Sequence, residues 1–322
     1  MMRRMLSTRN LVILALFVAL FVVSGLLGLK VPKPEVSLAA EPLFHLGPLV
    51  VTDSLFTSWV AMIVLIVIAY FATRRIPKDL ASASNSDLVP KGAFQNLIEW
   101  LMEYMWRLVK EISGSWAARF FPIVMTIFLF VIVSNWIELI PGVESIGKLV
   151  PVQGTATTGL VAHGPFLTAQ EAQPGQGYTL IPFFRPPSTD LNFTVALALI
   201  AVVLSQYFGL RTLGTRYLAR FWDTSGFKSG AMMGLVQLFA GLLELLGEFT
   251  KIISFSFRLF GNIFGGDVLL AVMAFLIPYV ASLPFYGLEL FVGFIQAAVF
   301  MILTLVFFVN AVSSHGAEGH PA

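Results

Sequence analysis

The sequence predicts an all-α integral membrane protein with several transmembrane helices, one interfacial amphipathic helix, and a C-terminal hairpin of two long, strongly tilted helices. Of its 322 residues, 57% are hydrophobic and 12% are charged, about half the charged fraction of a soluble domain. Most apolar residues are gathered in runs of about 20, the length that crosses a bilayer as a helix. Two runs near the C-terminus are much longer, and one of them contains Arg258.

The four shorter apolar runs each have the length of one crossing, at about 1.5 Å per residue. They cover 11–29, 54–73, 120–140 and 191–210. Basic residues precede the first run and follow the second and the fourth, at Arg3, Arg4, Arg9, Arg74, Arg75, Lys78, Lys91, Arg211, Arg216, Arg220 and Lys228. The positive-inside rule makes these positions cytoplasmic, so loops 30–53 and 141–189 face outward and both termini lie inside.

Residues 1–40 form an N-terminal apolar segment, and residues 41–322 are predicted to be a single membrane domain. The segment is either an extra transmembrane helix or a signal peptide, because a basic start, an apolar run and Ser37-Leu38-Ala39 are typical of secretory signals. Against cleavage, the apolar run is long, and Pro32 and Pro34 follow it. The topology of the rest of the chain is the same under both interpretations.

Residues 92–112 predict a helix that lies in the cytoplasmic membrane interface. Apolar residues recur there at helical spacing, at Phe94, Leu97, Ile98, Leu101, Met105, Leu108 and Ile112. Charged and amide residues occupy the other side, and tryptophans typical of headgroup depth occur at Trp100, Trp106 and Trp116. A soluble amphipathic helix is the alternative, but the sequence offers no soluble domain against which it could pack.

The last two apolar runs, about 231–277 and 284–312, predict a long helical hairpin. A helix over 231–277 would be about 70 Å long, more than twice the ~30 Å hydrocarbon core. Two crossings would require a polar turn near residue 250, where the sequence has neither proline nor loop composition. Pro278 and Pro284 bracket the first turn, so we expect two long helices that are strongly tilted.

The helix predicted over 231–277 carries a stripe of polar side chains. They are spaced by 7, 4, 3, 7 and 4 residues, at Gln237, Glu244, Glu248, Lys251, Arg258 and Asn262. This spacing places all six on one face, and Glu248 and Lys251 can pair with each other. Arg258 stays charged at any ordinary pH, and holding it at membrane depth costs at least ~2.5 kcal/mol. A functional site is the default interpretation, and a structural ion pair in a helix bundle is the alternative.

Two further carboxylates flank the turn of the hairpin. Asp267 is nine residues beyond Arg258, so it points away from the polar stripe. Glu289 and Gln296 share a face of the second helix, with Gly293 between them. The hairpin can bring Asp267 and Glu289 to a similar depth, where low polarity makes proton exchange near neutral pH possible for at least one of them. The alternative places Glu289 at headgroup level, where it would titrate normally.

Gly261 and Gly265 form a small-xxx-small pair beside Arg258 and Asn262. Such pairs permit close approach of two helix backbones, although they are common in membrane helices. Next to a charged residue, this pair indicates that a neighbouring helix packs close to Arg258.

Composition excludes several kinds of site. The chain has no cysteine, which excludes disulfides and thiolate chemistry. The C-terminal histidines His315 and His320 are typical of a solvated tail rather than a metal site. No Gly-x4-Gly-Lys-Ser/Thr string occurs. We therefore expect no metal, cofactor, nucleotide or nucleic acid to bind, and no enzyme activity of the chain by itself.

One motif makes the sequence similar to a known family. Phe257-Arg258-Leu259-Phe260-Gly261-Asn262, with an acidic residue at 267 and Gln296 in the next apolar run, resembles subunit a of the F-type ATP synthase. Further similarity occurs in the crossing after the interfacial helix and at the start of the next one, in Phe121-Pro122, Ser134-Asn135, Leu139-Ile140-Pro141-Gly142 and Thr189-Asp190-Leu191-Asn192. The resemblance covers roughly residues 45–313. Residue 267 is Asp where Glu is more usual, and 1–40 and 143–187 have no counterpart in the shortest members of the family.

The resemblance implies a proton-translocating stator subunit of a rotary ATP synthase, with two aqueous half-channels. Arg258 would face the carboxylates of the oligomeric c-ring. The inner half-channel would be served by Glu244, and the outer one would be lined by Asn262, Asp267, Glu289 and Gln296. The implied partners are the c-ring and b-type peripheral stalk subunits. The implied location is the plasma (inner) membrane of a bacterium, with several crossings and a cytoplasmic C-terminus; the coupling ion, H⁺ or Na⁺, would be selected by the rotor.

Two functions of other classes compete with this one. A self-contained secondary ion transporter usually has inverted repeats and helices broken near the membrane midplane, and the sequence has neither feature. A non-transporting membrane assembly scaffold would leave the polar stripe unexplained. Purification in mild detergent separates a transporter from a subunit, because only a subunit must co-purify with partners.

Overall fold

The computed structural model describes residues 39–74, 76, 92–140, 142–151, 159–163, 166–170, 178–222, 230–276 and 282–313. The predicted apolar segment 11–29, the turn at Pro278 and the C-terminal histidines lie outside these residues. The α-helices of the described part are α1 (Asp53–Thr73), α2 (Ala93–Ser113), α3 (Ala117–Glu138), α4 (Leu191–Leu213), α5 (Arg216–Ala219), α6 (Ala231–Leu276) and α7 (Ser282–Val312). Its strands are β1 (Pro42–Leu46), β2 (Leu49–Thr52), β3 (Gly147–Pro151), β4 (Gly159–His163), β5 (Phe166–Gln170) and β6 (Tyr178–Pro182).

The helices confirm the predicted class, an all-α integral membrane protein. Five helical stretches of the described chain are long and apolar enough to cross a membrane, by length and composition: α1, α2 joined to α3, α4, α6 and Leu283–Val312. The strands are short and confined to loops. β1 and β2 form an antiparallel hairpin, and the loop after α3 folds into an antiparallel sheet of order β3-β6-β4-β5. Neither sheet was predicted from the sequence.

The amphipathic helix α2 ends within one residue of the predicted end and is separated from α3 by the three-residue turn Gly114–Trp116. Gly114 has a φ of 55°, a left-handed conformation that glycine adopts without strain. Of the seven residues of the predicted apolar face of α2, Phe94, Leu97 and Ile112 are exposed, three are half-buried and Met105 is buried. An exposed apolar face on a helix of this kind suits the bilayer interface.

The long hairpin consists of two unbroken helices. α6 has 46 residues, and at about 1.5 Å per residue it is about 70 Å long. The expectation that 231–277 does not divide into two crossings is therefore confirmed. Within the hairpin, Phe255 of α6 stacks on Phe300 of α7 with ring centroids 3.7 Å apart, and its centroid is 5.4 Å from that of Phe307.

The chain forms two compact units, which we describe separately. The first unit comprises the described residues within Met1–Thr57, Asn135–Asp190 and Gly261–Gly293; the second comprises those within Ser58–Ser134, Leu191–Phe260 and Phe294–Ala322.

Aromatic packing supplies the core of the second unit. Phe120, Phe208 and Phe308 contact one another, with centroids 5.0, 5.1 and 5.3 Å apart. Phe120 and Phe308 are completely buried. These three rings join α3, α4 and α7; two of the contacts have the edge-on geometry that aromatic pairs prefer, and the contact between Phe120 and Phe308 is tilted.

Polar contacts join the end of α3 to its neighbours in the first unit. The indole Nε1 of Trp136 donates to the carbonyl of Leu290 at 3.1 Å, and Ser188 Oγ donates to Asn135 Oδ1 at 2.7 Å. The buried Nδ2 of Asn135 has no hydrogen-bond partner within the described residues. A buried amide of this kind is an ordinary site for a bound water.

Candidate functional site

Arg258 lies on the exposed side of α6, in an open groove of about 510 Å³. The groove runs between α6 and α7 in the second unit and is mostly apolar. Its polar members are Thr250, Lys251, Ser254 and Arg258; its apolar members are Leu243, Leu246, Gly247, Phe255, Leu303 and Phe307. A permanent cation in an apolar, open groove is a site that a partner of opposite charge can fill.

Glu244, Glu248 and Lys251 of the polar stripe form one set of ion pairs with Arg220, and we name these four residues the ion-pair network. Arg220 Nε and Nη2 both contact Glu244 Oε1, and Nη2 lies 3.9 Å from Glu248 Oε1. Lys251 Nζ donates to Glu248 Oε1 at 2.6 Å, which confirms the pairing predicted from their spacing. Two cations and two carboxylates balance in charge.

Two uncharged side chains extend the ion-pair network towards α4 and α5. Gln206 Nε2 donates to Glu248 Oε2 at 3.0 Å, and the Tyr217 hydroxyl donates to Gln206 Oε1 at 2.7 Å. Burial raises the pKa of the Tyr217 phenol above its usual value, so Tyr217 remains a proton donor in this bond at neutral pH. The contacts of Glu248 therefore come from three directions, although its side chain is held within an apolar helix.

Asp267 and Glu289 form a second site, which we name the acid pair. Glu289 of α7 is 8% exposed, and its carboxylate lies directly against Gly266 of α6, where an added methyl group would overlap it. The charge of Asp267 acts on the carboxylate of Glu289. The structure thus brings together the two carboxylates that the hairpin geometry predicts to be neighbours. The ion pairs of the described residues include neither of them.

Arg185 is a buried cation of the first unit, with 9% of its surface exposed. Its Nη1 donates to the Ala39 carbonyl at 2.9 Å, and its Nε donates to Thr189 Oγ1 at 3.0 Å. Its charge also acts on the buried carboxylate of Asp53 and on Asp267 of the acid pair. Arg185 is therefore a fixed positive charge in the surroundings of the acid pair.

The remaining predicted site residues differ in their surroundings. Asn262 is exposed on α6, and Gln296 of α7 is 3% exposed. Asn262 belongs to the first unit with the acid pair, whereas Arg258 and Gln296 belong to the second.

The glycines that receive close contacts are not those singled out from the sequence. Nothing in the described chain lies within 4 Å of a methyl group placed at Gly261 or Gly265. On α6 the close approaches are instead at Gly266, against Glu289, and at Gly241, against the Phe221 carbonyl. The surface at Gly261 and Gly265 is open, which leaves room for a helix from another chain.

Sequence reasoning missed Arg185 and the pairing role of Arg220. Arg220 was used only as a marker of the cytoplasmic side, and nothing in its spacing relates it to Glu244, which is 24 residues away. Arg185 carried one signal, its position directly before Pro186-Pro187 and the start of α4. Within the described residues, no group of three or more His, Cys, Asp or Glu side chains could hold a metal ion.

The described residues thus include an exposed cation in an apolar groove, Arg258, and carboxylates in two kinds of surroundings. The ion-pair network holds its two carboxylates in contact with the cations Arg220 and Lys251. The acid pair holds two carboxylates near each other, which opposes simultaneous ionisation.

Comparisons with known proteins agree with the resemblance of the motif. A family model described as ATP synthase A chain matches residues 55–309. ATP synthase subunit a of Moorella thermoacetica is 29% identical over 274 residues, which are 85% of this chain and 96% of the relative. ATP synthase subunit a of Nitratiruptor sp. is 31% identical over 262 residues, 80% of this chain and 88% of the relative. ATP synthase subunit a of Campylobacter fetus is 34% identical over 259 residues, 79% of this chain and 86% of the relative. The family match covers most of the chain, and the chain therefore belongs to the ATP synthase A chain family.

Proposed function

We propose that this chain is the proton-translocating stator subunit of a rotary ATP synthase, and that Arg258 faces the carboxylates of a rotating c-ring. The observation that carries the proposal is the placement of Arg258 in an open, mostly apolar groove. An apolar rotor helix with one carboxylate matches this groove in both polarity and charge. The open glycines Gly261 and Gly265 follow Arg258 at helical spacing on α6, so a rotor helix could pack closely along the same face.

The two kinds of carboxylate fit the two ends of a proton path. The acid pair, Asp267 and Glu289, would take protons from the outer side, with Asn262 and Gln296 lining the same half-channel. The ion-pair network, which contains Glu244, would pass them to the inner side. This assignment of sides follows from the positive-inside rule, since Arg211, Arg216 and Arg220 mark the end of α4 as cytoplasmic.

The mechanism follows from these charges. A proton from the acid pair neutralises a rotor carboxylate, which can then turn into lipid, and after rotation the carboxyl group releases its proton towards the ion-pair network. Arg258 stabilises the rotor carboxylate after release and keeps protons from crossing directly between the two paths. At an effective dielectric constant of 20 and a separation of ~4 Å, such a pair is worth ~4 kcal/mol before desolvation. The membrane potential supplies ~2.3 kcal/mol per charge per 100 mV.

The length of α6 supports a strongly tilted hairpin. A helix of about 70 Å fits a hydrocarbon core of ~30 Å only when it lies close to the membrane plane. Such a helix can follow the outer surface of a ring of rotor helices. We infer that the c-ring and b-type peripheral stalk subunits are the protein partners, and that the complex lies in a bacterial plasma membrane with the C-terminus of this chain inside.

The unbroken helices argue against a self-contained secondary transporter. Transporters of that class bind their ion at helices interrupted near the midplane, whereas α6 runs for 46 residues without a break. An assembly scaffold remains an outcome of the test below, because a scaffold would tolerate loss of the Arg258 charge.

Replacement of Arg258 in the assembled complex tests the proposal. We expect Arg258→Lys to abolish coupled ATP synthesis, because lysine lacks the planar guanidinium and can lose its charge when buried. Arg258→Ala should abolish synthesis and also let protons pass passively. The measurement is ATP synthesis and passive proton flux in vesicles that contain equal amounts of purified complex.

Arg211→Ala is the matched control, since Arg211 is an exposed cation at the end of α4 whose hydrogen bond is to Tyr207. It should leave both rates unchanged. An assembled Arg258→Ala complex that makes ATP at the normal rate would contradict the proposed function. Failure of Arg258→Ala to assemble, with Arg258→Lys active, would instead assign Arg258 to a structural ion pair.

A further inference from the structure

Residues 214–222 connect α4 to the segment before α6, and we name them the strap. The strap begins at Gly214, where a φ of 61° ends α4, and it contains the short helix α5. Two of its side chains are buried, Tyr217 at 3% exposure and Phe221 at 8%. They pack with Ala311, Leu213 and Leu245 as one apolar cluster. The strap is therefore held against α4, α6 and α7 rather than extended into solvent.

Two glycines make this docking possible. Gly209 of α4 lies under the Tyr217 ring, and Gly241 of α6 lies under the Phe221 carbonyl. A methyl group at either position would overlap the strap, and at Gly241 the overlap would be with backbone atoms. A residue with a side chain at Gly241 would therefore move the strap away from α6, because backbone atoms cannot turn aside as a side chain can.

The docked strap carries Arg220 to the two carboxylates of the ion-pair network. Its guanidinium contacts Glu244 and lies 3.9 Å from Glu248 at the nearest atoms. Its side chain is 20% exposed, compared with 36% for Glu244 and 10% for Glu248. At this degree of burial an ion pair has a larger effect than on an open surface.

We propose that Arg220 is a positioning residue for proton release: the strap holds its permanent charge against Glu244 and Glu248, so that these carboxylates accept a proton only briefly and pass it on. This inference rests on the proposed function, and it adds a residue that controls proton release on the inner side. A proton that reaches either carboxylate forms a neutral carboxyl group and weakens the contact with Arg220. Loss of that proton to water restores the ion pair, so the adjacent cation favours release.

The other groups that face these carboxylates cannot replace Arg220. Lys251 contacts Glu248 from the same helix, and Gln206 and Tyr217 supply uncharged donors from α4 and the strap. Among these groups, Arg220 is the cation in contact with Glu244. Its guanidinium keeps its charge over the whole working pH range.

The test uses the assembled complex with Arg220→Gln, Arg220→Lys and, as a control on the same short helix, the exposed Arg216→Gln. Proton flux through the membrane sector is measured as a function of pH on the inner side. Without the Arg220 charge the carboxylates should retain protons to higher pH. The pH at which flux is half-maximal should rise by about one unit in Arg220→Gln. In Arg220→Lys, which keeps a positive charge, most of that rise should be absent.

A double variant separates positioning from folding. The shift that Arg220→Gln produces should be smaller in a Glu244→Gln background, because Arg220 contacts Glu244 and lies 3.9 Å from Glu248. An unchanged pH profile in an assembled Arg220→Gln complex would overturn the inference. So would loss of assembly in both Arg220→Gln and the double variant, which would make Arg220 a structural residue.

The Arg258→Ala variant, measured in the same preparations, distinguishes an error in the role of Arg220 from an error in the proposed function. If it loses coupling while Arg220→Gln keeps the normal pH profile, only the role of Arg220 is wrong. If it remains coupled, the proposed function itself is wrong.

Discussion

The acid pair and the ion-pair network use the same functional group in opposite surroundings. Glu248 and Glu289 are both carboxylates on apolar helices, and each is 8% exposed. Glu248 is surrounded by donors, from Lys251, Gln206 and the more distant Arg220. Glu289 lies against a glycine and near a second carboxylate. Burial alone therefore does not decide what a carboxylate can do; the charges next to it do.

The difference matches two halves of a proton transfer. A carboxyl group next to cations loses its proton readily, because the cations favour the charged form. Two neighbouring carboxylates repel each other when both are charged, so one of them readily holds a proton. If protons enter at the acid pair and leave at the ion-pair network, each site favours the step assigned to it. The two sites should also respond differently to mutation. Loss of a charge in the acid pair should change proton flux, whereas loss of a charge in the ion-pair network should change proton flux and also lower the stability of the complex.

The largest expected effect is at the acid pair. We expect Asp267→Asn or Glu289→Gln to slow proton flux strongly and to shift its pH dependence, because one of two coupled proton carriers is lost. The seal provided by Arg258 should survive, so neither variant should leak. Flux in both directions and passive conductance are the measurements. If both substitutions leave flux and its pH profile unchanged, protons enter elsewhere.

The membrane spans could be predicted from the sequence alone. The spans α1, α3, α4, α6 and α7 follow from apolar runs, because length and polarity set bilayer crossing. The acid pair also follows, since a hairpin relates residues on either side of its turn by simple counting. Arg258 and its stripe follow from helical periodicity on a single element.

Contacts between elements distant in sequence could not be obtained in this way. Arg220 reaches Glu244 only because Gly209 and Gly241 let the strap dock. The role of those two glycines depends on what lies above them, which no local pattern encodes. The sheet of β3 to β6 was missed for a related reason, because a loop rich in glycine and proline gives weak strand signals.

Undocking of the strap should give the next largest effect. Gly241→Ala introduces a methyl group that overlaps the Phe221 carbonyl, so it should displace Tyr217 and Phe221 from their buried positions. We expect a lower melting temperature of the purified complex and the same pH shift as in Arg220→Gln. Gly247→Ala on the same helix is the control, because nothing lies within 4 Å of its added methyl group. Equal behaviour of the two variants would mean that the strap is not held at Gly241.

Neutralisation within the ion-pair network should cost less. In Glu248→Gln, Arg220 keeps its contact with Glu244, but the partly buried ammonium of Lys251 loses its carboxylate partner. We expect the complex to melt several degrees lower. Glu103→Gln provides the comparison, since Glu103 and Arg107 form an ion pair whose side chains are 61% and 75% exposed, and such pairs contribute little. If Glu103→Gln destabilises the complex as much as Glu248→Gln, the network is not a stabilising feature.

The smallest and most specific change is at Gly266. A methyl group there meets the end of a flexible side chain, the Glu289 carboxylate, and not backbone. Glu289 can turn aside, so Gly266→Ala should leave the fold and assembly intact while it moves one member of the acid pair. We expect slower proton uptake with a normal melting temperature, and a weaker effect than that of Glu289→Gln. The neighbouring Gly265→Ala adds the same methyl group where nothing of the described chain lies within 4 Å. Because we propose that a rotor helix packs against Gly265, Gly265→Ala should impair rotation in both directions, whereas Gly266→Ala should alter the pH dependence. A pH profile that stays normal in Gly266→Ala would show that the position of Glu289 against Gly266 is not needed for proton uptake.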